Sequence, residues 1–163
     1  MAKPTHKVLH PHLTIMDAVK KPGGVTREQA VAAATAQVET LRDASVGVLL
    51  TAIAEIETIV TSWPGEIVPG TKATDVLPAA DRIINFAATF GHDRLVEIAK
   101  NLCYVAATLA SKKAINKAAF RVHTDAMRMM PPFGPGIGAA EESGILAELV
   151  RVRAHLEQSA KDG

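Results

Sequence analysis

The feature that most constrains this chain is an apolar stripe that keeps helical spacing from Val31 to Trp63. Val31, Val38, Ser45, Ala52 and Ile59 recur every seven residues, and Ala34, Leu41 and Val48 interleave with them. Leu49, Ile53, Ile56, Val60 and Trp63 extend the stripe in steps of four and three. That period places one face of an α-helix on a core and is incompatible with a strand. Thr26-Arg27-Glu28-Gln29 reads as a capping box in front of it, and Pro64-Gly65 stops it. One helix over about 27–63 is the simplest reading. A break near Asp43–Gly47 would make it two.

The same logic runs to the end of the chain. Thr74 or Asp75 caps a second helix, with Pro78 tolerated in its first turn and Gly91 ending it. Val76, Leu77, Ala80, Ile83, Ile84, Ala87 and Phe90 give its buried face. Asp93 caps the next helix, which buries Val96, Ala99, Leu102, Cys103, Ala106, Leu109 and Ala110. Ser111 opens a further helix through Met130, with Ile115, Ala119, Val122, Ala126 and Met129 inward. Pro131–Gly138 is a linker, and a last helix over about 140–160 buries Ile145, Leu146, Leu149, Val152 and Leu156. The expected fold is all-α, a bundle of four to six mostly antiparallel helices over 25–163, behind an irregular N-terminal arm over 1–24. Apolar residues make up 48% of the chain and aromatics 4%, which suits closely packed alanine-rich helices.

Charge and cysteine narrow the function classes. Eighteen basic and 17 acidic residues leave a net charge of +1, so no global field draws nucleic acid or an anionic membrane. A single cysteine, Cys103, excludes an internal disulfide and fits a reducing compartment. No continuous apolar run approaches the roughly 20 residues of a membrane span, so the expected location is cytoplasmic and unprocessed. No nucleophile elbow, phosphate loop or dinucleotide fingerprint occurs. His6, His10 and His12 lack cysteines and ligand spacing, so no metal and no cofactor is expected. His92-Asp93 is a helix start without the upstream histidine that a metal phosphohydrolase site needs.

The most informative surface is the helix over 111–130. Lys113, Lys117 and Arg121 stand four apart, and Arg128 continues the row one heptad on, a basic stripe suited to an acidic protein partner. Glu141, Glu142 and Glu148 are candidates to neutralise it from within.

Arg82-Ile83-Ile84, Phe90-Gly91-His92, Asn101-Leu102-Cys103 and Val122–Arg128 resemble small helical accessory proteins of bacterial chemotaxis and two-component signalling. The histidine phosphotransfer domain is the family of that kind with a defined chemistry. The resemblance implies His123 as phosphoacceptor, with Arg121 and Arg128 beside it. Where that family carries lysine and glycine, His123 is followed by Ala126 and Met127. Three expectations stand together: a non-enzymatic interaction module with a protein partner such as a response regulator, a phosphotransfer or phosphatase protein working through His123 or Glu97 and Asn101, and a homo-oligomer paired through the long helix.

Overall fold

The computed structural model describes residues 23–134 and 136–161, with side chains to Gln158. The arm up to residue 22, with His6, His10 and His12, lies outside the described residues. The fold is all-α, with five α-helices and one short two-stranded ladder among the described residues. In chain order these are α1 (Arg27–Ser62), β1 (Ile67–Val68), a 3-10 helix (Gly70–Val76), α2 (Leu77–Thr89), α3 (Asp93–Leu109), β2 (Ile115–Asn116), α4 (Ala118–Met129) and α5 (Ala139–Lys161).

Packing divides the chain into two compact units, Met1–Glu39 and Thr40–Gly163, where the sequence suggested a division after residue 24. In the described part of the first unit, the Thr26 hydroxyl accepts from the Gln29 N–H, and the Gln29 side chain accepts from the Thr26 N–H. That reciprocal pair is the capping box and satisfies two donors at the start of α1. Helical residues 27–39 are all exposed.

The second unit holds the core. Its stretch of α1 buries Leu49, Ala52, Ile53, Ile56 and Val60. One helix, not two, fills 27–62, and no break occurs at Asp43–Gly47. By length and composition α1 is also apolar enough to cross a membrane, contrary to the sequence reading, with a third of its most apolar window buried in this fold.

The helix ends follow from local chemistry. Gly91 takes φ +76°, which an L side chain rarely adopts. This lets the His92 N–H reach the Ala87 carbonyl at 2.8 Å and the Gly91 N–H reach that of Ala88. The resulting Schellman turn makes α2 and α3 a tight hairpin. Asp93 is the first helical residue of α3, not its cap. It adds negative charge where the helix dipole is positive. Thr74 and Asp75 are taken up by the 3-10 turn and do not cap α2.

The expected helix start at Ser111 is wrong. The Ser111 hydroxyl turns back on the Thr108 carbonyl. Residues 115–116 then pair antiparallel with 67–68, Ile67 opposite Asn116 and Val68 opposite Ile115. The Gly70 N–H bonds the Lys112 carbonyl just outside the ladder. A Cβ at position 70 would stand 2.1 Å from that oxygen, so only glycine permits the approach. Asn116 then accepts from the Ala118 N–H at 2.8 Å and starts α4.

Candidate functional site

Helix α4 sits about one residue, or 100°, away in rotation from the sequence expectation. Phe120, His123, Thr124, Ala126 and Met127 are its buried residues. Val122 and Met129, expected inside, remain 44% and 46% exposed. The cause lies in Phe120, the most voluminous fully buried side chain, whose ring meets Trp63 edge-on at 5.1 Å between centroids. His123 and Met127 follow at i+3 and i+7 and complete the face.

This rotation dismantles the basic stripe. Lys113 lies in the loop before β2, not on a helix. Lys117 is buried at 6% exposure, with its ammonium 3.5 Å from the Trp63 carbonyl and 3.7 Å from Glu66. Arg121 pairs with the same Glu66 at 3.1 Å. Arg128 grips Glu57 of α1 through two bonds of 2.5 and 2.6 Å. Lys117, Arg121 and Arg128 are thus answered from α1 and the loop behind it rather than by Glu141, Glu142 or Glu148, so the four residues do not form a single outward row.

His123 is fully buried, which removes it as phosphoacceptor, since phosphoryl transfer needs an accessible imidazole nitrogen. Burial lowers its pKa, partly opposed by its bond to the Ala119 carbonyl. In the neutral ring, Nδ1–H donates to that carbonyl at 2.6 Å. Nε2 stands 3.1 Å from Asn101 Oδ1, an acceptor, so a neutral ring that donates through Nδ1–H pairs there only with the Asn101 amide turned over to present its NH2 group. Asn101 is engaged in that buried contact and Glu97 pairs with Arg94, yet the two line one cavity between α3 and α5 together with Tyr104 and Arg153. Burial also lowers the pKa of His92, reinforced by Arg42. The half-buried Cys103 thiol is pushed up by burial and by Asp81, whose carboxylate lies 4.0 Å from Sγ, so its reactive thiolate is disfavoured. Among the described residues no three His, Cys, Asp or Glu gather as metal ligands.

What the rotation opens is a groove between α4 and α5. Helix α5 packs chiefly on α3, held there in part by Arg153 over the Tyr104 ring at 4.6 Å. The chain reaches α5 through a turn in which the Gly134 N–H bonds the Met130 carbonyl. The Met129 carbonyl occupies the space that a Cβ at 134 would need. The groove encloses about 630 Å³. Val122, Ala126 and Met129 form one wall, and Ile145 and Leu149 the other, with Ile137 nearby. Asp125, Glu141 and Glu148 add three carboxylates, and no lysine or arginine lines it among the described residues. Glu141 accepts from the Gly138 N–H and Glu148 pairs with Arg151. Asp125 makes no hydrogen bond or salt bridge among the described residues, though its charge acts on the Arg128 guanidinium.

Sequence reasoning missed this site because it placed Val122 and Met129 in the core. One signal was available in Gly144, a helix-weakening residue in the middle of an otherwise regular pattern. Comparison with protein-family models, curated proteins and solved structures finds no match to this chain.

Proposed function

We propose that this protein is a non-enzymatic helical interaction module that receives a protein partner in the groove between α4 and α5. The observation that carries the reading is an apolar trough of about 630 Å³ bordered by carboxylates and left open by the fold. His123, the side chain that suggested chemistry, is buried, and the reactive thiolate of Cys103 is disfavoured. Its setting, by the resemblance of residues 76–130, is cytoplasmic bacterial signalling. The test is comparative capture from the source cell with wild type and with Val122→Asp/Met129→Asp. A protein held by the first and lost by the second, at equal melting temperature, supports the reading. Identical capture by both overturns it.

A second reading, self-association through α1, is favoured by Val31, Val38 and Leu41, which are 57%, 52% and 58% exposed at helical spacing. Sedimentation velocity decides it. A dimer that becomes monomeric on Val38→Glu supports this reading, and a monomeric wild type removes it.

A further inference from the structure

Helix α5 carries a glycine where its own fold gives no reason for one. Gly144 lies in the helix interior, and a Cβ built there meets nothing within 4 Å. Its φ is not in the left-handed region, so backbone conformation does not demand glycine either. Glycine in a helix interior is costly relative to alanine. Here the missing side chain opens onto the groove that Gly144 lines, facing Ala126, Val122 and Met129 from α4. Small residues at such a position allow a second backbone to approach closely.

The groove walls run for about two helical turns. Val122, Ala126 and Met129 span two turns of α4, and Glu141 to Leu149 span just over two turns of α5. Glu141 and Glu148 stand seven residues apart, roughly 10 Å along the axis at 1.5 Å per residue. Asp125 faces from the other wall. An occupant complementary to this surface has an apolar stripe at i, i+3 or i+4, and i+7, flanked on both sides by lysine or arginine. Among the described residues, neither α1 nor α4 of a second copy is a good match. The exposed apolar face of α1 is accompanied by Arg27, Glu28, Glu39, Arg42 and Asp43, which is not a basic frame. The arginines of α4 are already engaged with Glu57 and Glu66.

We infer that the groove takes a basic amphipathic helix of a partner protein, its backbone seated close to Gly144 and its cations set against Asp125, Glu141 and Glu148. The inference rests on the docking reading above and names the chemistry of the partner. The experiment uses the full chain and three stapled 18-residue helices with the same leucine stripe, carrying lysine, glutamine or glutamate at the flanking positions, followed by fluorescence anisotropy. The lysine helix should bind at least about tenfold tighter than the glutamate helix, with the difference shrinking as salt rises. Gly144→Leu should keep the helical signal and melting transition and weaken the lysine helix at least about tenfold. Gly144→Ala should raise the melting temperature by about 2–4 °C while weakening binding. Gly47→Ala is the control, because a Cβ there also meets nothing within 4 Å but the position lines no part of the groove. It should raise the melting temperature and leave binding unchanged. Equal binding of all three helices, each lost in Gly144→Leu, keeps the docking groove and overturns the basic partner. Lysine-helix binding that survives Gly144→Leu places the contact elsewhere and overturns the inference. No binding by any of the three overturns it as well, and the comparative capture then decides whether the docking reading falls with it.

Discussion

On one side of α4, Phe120, His123, Thr124 and Met127 are enclosed, and the nearby cations Lys117, Arg121 and Arg128 each meet a carboxylate from α1 or the loop behind it. On the other side, Val122, Asp125 and Met129 face a trough that no part of the described chain fills. The helix is only twelve residues long, and each side mixes apolar and polar residues. The difference shows that a row of charges in sequence says little about function until its partners are located. Three of the four cations that looked available belong to internal ion pairs, and two of the three carboxylates that looked like their counterions, Glu141 and Glu148, border the open side.

The sharpest way to break this contrast is to remove one large side chain from each face. Phe120→Ala should cost about 3–5 kcal/mol, the range for emptying a buried aromatic site. Met129→Ala, half exposed, should cost under about 1 kcal/mol. Urea melts that give the two variants equal losses would show that the face has been assigned wrongly.

A smaller effect concerns acid. The folded His123 ring titrates below its ordinary value because it is buried, and His92 shifts the same way. As pH falls through about 6.5, the unfolded chain binds protons that the folded chain resists, so stability falls with pH. The loss continues until the folded rings titrate. His123→Gln should flatten part of this slope, measured as melting temperature between pH 7.5 and 5. A slope unchanged by that substitution would mean that His123 is not held neutral.

The smallest effect belongs to the ion pairs. Arg128 and Glu57 are both at least a third exposed, so a double-mutant cycle of Arg128→Gln and Glu57→Gln should give a coupling of about 0.2–1 kcal/mol that salt reduces. A coupling of several kcal/mol would mean that the pair helps to anchor α1.

Most of the fold was legible because its determinants are local. The capping box at Thr26–Gln29, the glycine turn at Gly91 and the buried residues Ile83, Ala99 and Leu102 all follow from spacing within one element. The start of α4 was not legible, because Ile115 joins a ladder whose other strand is almost fifty residues earlier. Its rotation was not legible either. His123 and Thr124 read as polar, yet each finds a bond to a carbonyl in the preceding turn, so their burial is tolerated. The groove inherited that error, since its walls were counted as core.

The span between α1 and α4 has a consequence for synthesis. Arg128 leaves the ribosome 71 residues after Glu57, which at about 5–20 residues per second is a delay of roughly 4–14 s. Arg82, the α2 partner of Glu55, follows it by only 27 residues, so the partners of α1 arrive in stages, those on α2 well before Arg128. Helix α1 is apolar enough, by length and composition, to pass for a membrane span. Until the later helices arrive, the nascent chain exposes an apolar helix of membrane-span length, and the time for which it stays exposed depends on how quickly translation delivers the rest of the bundle.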